Sequence, residues 1–311
     1  MVVLASTGRP TVAADTAKDR AVAAIEALGG KVERDEDASG WAVHLSTGRV
    51  TDAAMAHVVD LGLDTVTSLD LIGSWVTDAG LERVGKAVNL RDLALAGTKV
   101  TDAGLRHLTG LANLEHLHLS GTHVTDAGMA HVGRLGKLKA LSLDSTHVTD
   151  AGLEHLKGLP HLEILVLSRT RVTDAGMGAV GGLKGLRALE LGGTLVTDAG
   201  LVRLAALPAL ELLWLRGTAV GDAGLKAVSG VGSLRDLDTD SPFVTDAGVA
   251  HLGRLKGLRR LKLANARLTD AGLAPLRELP DLEDLDLKDT QVTDRGVATL
   301  TAARPKLKVA R

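Results

Sequence analysis

The 24 residues from Leu114 to Lys137, L-E-H-L-H-L-S-G-T-H-V-T-D-A-G-M-A-H-V-G-R-L-G-K, decide the fold because the next 24 restate them. Leu138 to His161 reads L-K-A-L-S-L-D-S-T-H-V-T-D-A-G-L-E-H-L-K-G-L-P-H. Working outward, Asp78, Asp102, Asp126, Asp150, Asp174, Asp198, Asp222, Asp246, Asp270 and Asp294 recur every 24 residues in the same phrase. An earlier copy around Val43, Leu45 and Asp52 is offset by 26 residues, which makes eleven copies over about residues 40–303. Self-similarity at such a period marks a stacked array. The 311 residues therefore read as one elongated domain, although length alone suggests two.

Each copy holds two periodicities. Leu117-x-Leu119 alternates with period two, as a short strand does. The T-D-A-G-L-x-x-L segment that follows has helical spacing, with Thr125 or Asp126 placed to cap its first turn. Gly128 lets that turn approach its neighbour closely. Neither element can bury its apolar face alone, but stacked copies line up equivalent leucines into continuous interior columns. Parallel strands sit about 4.8 Å apart, whereas packed helices need about 8–10 Å. The strands must then line a concave side and the helices a convex one. The expected fold class is an α/β solenoid with a horseshoe shape.

The pattern L-x-x-L-x-L-x-x-T-x-V-T-D-A-G-L resembles leucine-rich repeats, particularly the class with Cys where Thr stands here. That class implies substrate recognition in ubiquitin ligases, and Thr-containing versions resemble repeat proteins of high-GC bacteria. No F-box-like segment is visible ahead of the repeats, so a ligase role is not carried over. Thr98, Thr122, Thr146, Thr170, Thr194, Thr218 and Thr290 fill the turn after the strand. Their hydroxyls are placed to satisfy backbone groups of the turn as a ladder. Ser74 reads as a fair substitute, while Gly48, Pro242 and Ala266 break the series.

Composition narrows the function classes. Trp41, Trp75, Trp214 and Phe243 are the only aromatics, so the core is aliphatic. There is no Cys, which excludes disulfides and thiolate metal sites. A net charge of −2 with dispersed Lys and Arg argues against nucleic-acid binding. No apolar run approaches the roughly 18 residues of a membrane span. The start, Val2 to Ala5, is briefly apolar, but Arg9 and Pro10 interrupt what a signal peptide needs. A cytoplasmic location is favoured on that reading, with a periplasmic or secreted one left open if translation starts further upstream.

The ends differ from the middle. Residues 1–11 read as a flexible start and residues 12–40 as a cap. Val12, Ala13, Ala21, Val22, Ile25 and Leu28 form an amphipathic helix over 12–28, ended by Gly29–Gly30. A hairpin follows, from Lys31 to Glu36, through a turn at Asp37–Gly40, into Trp41 to Leu45. The solenoid proper is then 41–303, and 304–311 is a truncated copy whose Arg304, Lys306, Lys308 and Arg311 guard an edge. A monomer is expected, with self-association through this end as the alternative.

Because alternate strand residues share a face, the concave surface can be written down. Ile164, Val166, Leu212 and Trp214 fall there on neighbouring strands, with Glu190 between them. Grouped exposed apolar residues mark a contact surface, and Trp is a frequent interface anchor. Beside them come Asp236, Asp238 and Asp240, an acidic rim in a copy that also breaks pattern with Thr239 at an interior Leu position. D-L-D-T-D departs from a calcium loop, with Ser241 at the sixth position and Ala247 at the twelfth. His116 and His118 share the concave face without an evident third ligand, so no metal or other cofactor is expected. His57, His107, His131, His155 and His251 repeat on the outer helices and read as structural.

No sequence motif for catalysis occurs, and no catalytic residue is assigned. The reading is a non-catalytic module binding a protein or peptide on the concave face. Two alternatives stand beside it. One is a regulator of an enzyme, by ubiquitin-ligase-like recognition or GTPase activation; the other is an exported adhesion or glycan-binding module.

Overall fold

The computed structural model describes residues 16–34 and 40–311. Val12, Ala13, the proposed flexible start, the signal-peptide question, Glu36 and most of the Asp37–Gly40 turn fall outside those residues. Among the described residues, thirteen strands form one sheet in strict chain order. They are β1 (Lys31–Arg34), β2 (Trp41–His44), β3 (Val66–Asp70), β4 (Asp92–Ala94), β5 (His116–His118), β6 (Ala140–Ser142) and β7 (Ile164–Val166). The rest are β8 (Ala188–Glu190), β9 (Leu212–Trp214), β10 (Asp236–Asp238), β11 (Arg260–Lys262), β12 (Asp284–Asp286) and β13 (Lys308–Ala310). β1 pairs antiparallel with β2, and all later neighbours are parallel. From β3 onward the partner is the residue 24 positions away, as in Leu117 with Leu141. Short α- or 3₁₀-helical turns cross back on the other side of every copy.

The interior is two leucine columns from each strand, backed by the turns. Leu117, Leu141, Leu165, Leu189 and Leu213 are buried, as are Leu119, Leu143, Leu167, Leu191 and Leu215. Thr239 enters the second column between Leu215 and Leu263, and its Oγ1 is buried without a hydrogen-bond partner. The helix expected over 12–28 is described as α1 (Ala17–Ala27). Thr16 caps it, accepting from the Asp19 amide while the Asp19 carboxylate accepts from the Thr16 amide. Ala21 and Ile25 turn its apolar face onto the first layer of the stack.

The phrase T-D-A-G resolves into three tasks. Thr125 is the cap, accepting from the Ala127 amide at 3.3 Å. Asp126 does not cap its own helix. Its carboxylate reaches into the next copy, taking the Thr149 amide at 2.7 Å and the Thr149 hydroxyl at 2.6 Å. The same latch joins Asp102 to Thr125, Asp150 to Thr173 and Asp246 to Thr269. The glycine follows from the latch, because a Cβ on Gly152 would lie 2.5 Å from Asp126 Oδ1. At one copy Gly221 replaces the threonine, and only its amide reaches Asp198, at 2.7 Å.

The turn threonines close their own turns rather than linking copies. Thr122 donates to the Leu119 carbonyl and Thr146 to the Leu143 carbonyl, each at 2.6 Å. Ser74 does not substitute for them. Its Oγ is buried with no hydrogen-bond partner, since a serine lacks the γ-methyl that restricts a threonine's χ1. Where Pro242 interrupts the series the turn bond is lost, and Ser241 instead donates across to the Val220 carbonyl of the preceding copy at 2.5 Å.

Candidate binding surface

Three residue rows cross the concave side, set by the 24-residue register. The central row runs Ala94, His118, Ser142, Val166, Glu190, Trp214, Asp238, Lys262. At its β5 end the polar groups hold one another. His116 Nδ1 pairs with Asp92, and the Ser120 and Ser142 hydroxyls bond at 2.7 Å. Burial against its neighbours, and then the charge of His116, hold the His118 imidazole below its ordinary pKa.

Toward the middle the character changes. Ile164 is 44% exposed, and Val166, Leu212 and Trp214 are each partly accessible. The structure thus brings the four apolar residues together on β7 and β9, separated by β8. Across β8, Ala188 is buried and Glu190 rises between them, its carboxylate accepting from the Ser168 hydroxyl at 2.7 Å. A hollow of about 400 Å³ opens over Trp214, lined by Glu190, Arg216, Asp236, Asp238, Arg260 and Lys262, with Gly192 at its edge.

The acids expected to form a bare rim are not bare. Asp236 and Asp238 are each only 5% exposed. Arg260 Nε donates to Asp236 at 2.6 Å and Lys262 Nζ to Asp238 at 3.0 Å. Asp240 receives Arg216 at 3.3 Å and the Asn265 side-chain amide at 2.5 Å. Burying a carboxylate is costly without such a partner, so the cations are part of the strand's design. Arg260 and Lys262 lie 24 residues beyond Asp236 and Asp238, and Arg216 lies 24 before Asp240. The repeat period alone was the signal that would have paired them.

A further row, off the concave side, also carries exposed apolar residues. The residue after the turn threonine lies on the flank, where Leu195 is 63% and Phe243 58% exposed, with Ala219 exposed between them. In the same position earlier copies carry Trp75, itself 57% exposed, and then Lys99, His123 and His147. Trp75, Leu195, Ala219 and Phe243 among polar equivalents were the available clue. Accessible apolar residues thus occur on a second side of the same middle copies, while a separate group, Ile72 at 45% exposed and Trp75, lies in the first copies.

Comparison with known proteins fits this architecture. A family model described as a leucine-rich repeat region matches residues 58–308. The chain is a leucine-rich-repeat protein. Among solved structures the leucine-rich-repeat chain is similar to an internalin from Listeria monocytogenes, with a TM-score of 0.61 at 22% identity, covering 82% of each chain. It is also similar to a Leptospira interrogans leucine-rich-repeat protein, with a TM-score of 0.58 at 18% identity, covering 82% of this chain and 68% of that one. Mouse RP105, solved as a complex with MD-1, gives a TM-score of 0.60 at 18% identity, but only 44% of that chain is covered. At these identities the likeness is one of fold. No curated protein matches in sequence. No helix among the described residues is long and apolar enough to cross a membrane.

Proposed function

We propose that this leucine-rich-repeat protein is a non-catalytic binding module that seats a protein or peptide partner on its concave face. Its contact residues are Ile164, Val166, Glu190, Leu212 and Trp214, flanked by Asp236, Asp238 and Asp240. Residues 12–40 serve as its cap and 304–311 as its closing partial copy. The observation that carries the reading is the gathering of accessible apolar side chains on β7 and β9, next to the hollow that Trp214 lines. Leaving such residues in water has no benefit to the fold, whereas covering them on a partner gains about 25 cal/mol per Å². Binding without turnover fits the polar groups nearby, which are tied to one another in pairs such as Asp92–His116 and Asp236–Arg260. The fold is also the one found in RP105 complexed with MD-1 and in a plant peptide hormone receptor complexed with RGF2.

The test is site-directed photocrosslinking. A photoreactive residue at position 166 or 212 is expected to capture a partner, whereas one at the exposed convex residue Val202 is not. Crosslinking that is equal at all three positions, or confined to position 202, contradicts the concave assignment.

A further inference from the structure

We infer that the hollow over Trp214 takes a cationic side chain, a lysine ammonium or an arginine guanidinium, from an extended segment of a partner protein. The inference rests on the concave face being the binding surface and names the chemistry that face selects.

Glu190, Trp214 and Asp238 hold the same register position on β8, β9 and β10. Strand spacing of about 4.8 Å therefore sets carboxylate, indole and carboxylate in one row. Lys262 already serves Asp238. Glu190 has the Ser168 hydroxyl and, among the described residues, no cation within ion-pair distance. Beneath the row Asp236 is half met, since Arg260 binds Oδ2 while Oδ1 is buried without a partner. The lining holds three carboxylates and three cations, but Arg216 is taken by Asp240 outside it, Arg260 by Asp236 and Lys262 by Asp238, so Glu190 is the carboxylate left without a cation. That unpaired carboxylate sits one strand from the indole of Trp214, a ring type whose quadrupole also attracts cations.

An anionic ligand meets the opposite situation. To bind Arg260 or Lys262 fully it must draw them from Asp236 and Asp238, leaving buried carboxylates unpaired, which is strongly unfavourable. A cation displaces nothing and uses the lone pairs of Glu190. Next to the hollow, Leu212 on β9 and Ile164 and Val166 on β7 extend an apolar shelf. The segment that fits carries a basic residue adjacent to an apolar one.

The experiment titrates the full chain with acetyl-leucyl-arginyl-leucine amide and its glutaminyl and glutamyl counterparts, following the indole N–H signals by NMR. Trp214→Phe assigns the signal. The arginyl peptide should move the Trp214 signal saturably and leave Trp41 and Trp75 in place. The glutaminyl peptide should bind at least about fivefold more weakly, the scale set by one cation–π contact plus one charge. Glu190→Gln, which keeps an acceptor for Ser168, should reduce the arginyl peptide to the glutaminyl level with an unchanged melting temperature. Equal or tighter binding of the glutaminyl or glutamyl peptide overturns the inference, as does an arginyl peptide that leaves Trp214 unmoved. If all three peptides shift Trp214 alike, cation selection fails while the binding face stands. The binding face itself is tested separately, by the crosslinking from positions 166, 212 and 202.

Discussion

The copy that runs from Asp126 to Thr149 and the stretch from Asp198 to Phe243 are built from the same phrase, yet they use it differently. In the regular copy the polar residues of the repeated T-D-A-G phrase and of the turn are committed to the stack. Asp126 latches Thr149, Gly152 leaves it room, and Thr146 closes the turn. In the second stretch three commitments lapse. Asp198 keeps only the Gly221 amide, Thr239 buries an unbonded hydroxyl in the leucine column, and Pro242 replaces the turn threonine. That stretch adjoins the Trp214 hollow and carries the exposed Phe243. The stack relaxes its rules where its surface is most suited to a partner, in keeping with repeat proteins whose stability is a sum of local units and interfaces.

The largest effect should come from the latch. Asp126→Ala removes a carboxylate acceptor from both an amide and a hydroxyl, and should cost about 2–4 kcal/mol in urea unfolding. Asp198→Ala, which loses one such bond, should cost roughly half as much. Equal losses would remove the distinction between the two regions. Next comes Gly152→Ala, expected to cost about 1–3 kcal/mol by overpacking. Part of that cost should vanish in an Asp126→Ala background, where the crowding oxygen is gone. Strict additivity of the two changes would show that the glycine serves something else.

A single substitution type sharpens the contrast further. Thr146→Val breaks the bond to the Leu143 carbonyl and should destabilise by about 1 kcal/mol. Thr239→Val removes an unpartnered buried hydroxyl and should stabilise by about the same amount. The same sign at both positions would contradict the account of the irregular copy.

The smallest effect is a pH dependence at the last latch. The amide and then the hydroxyl of Thr293 hold the Asp270 carboxyl below its ordinary value. A depressed folded pKa means that the contribution is complete above the unfolded value, about 3.9. It is lost as pH falls through the lower folded value. Thr293→Val should therefore make acid unfolding slightly less steep below about pH 4. An unchanged acid limb would show that the hydroxyl contributes nothing there.

How far the sequence could be read follows from where each partner lies. Leu117 and Leu119 announce a strand because their partners in the pattern are two residues away. The latch was missed because Asp126 acts on Thr149, 23 residues on, so the local phrase offered Thr125 and Asp126 as rival caps. The acidic copy was misjudged for the same reason. Asp236 and Asp238 read as exposed charge along the chain, yet at the repeat distance they meet Arg260 and Lys262. Ile164 and Trp214 were legible as surface residues because alternation alone sets their side of the strand. Their exposure, unlike the depth of the hollow that Trp214 lines, needed no knowledge of neighbouring copies. Ser74 looked equivalent to threonine in donor chemistry, and only its conformational freedom separates the two.

The most direct test crosses the two regions in one measurement, capture of partner per folded molecule alongside the melting temperature, for Trp214→Ala and Asp126→Ala. The account predicts that Trp214→Ala loses capture at an unchanged melting temperature, while Asp126→Ala melts lower and captures normally when folded. Undiminished capture by Trp214→Ala would contradict the assignment of the concave hollow as the binding surface.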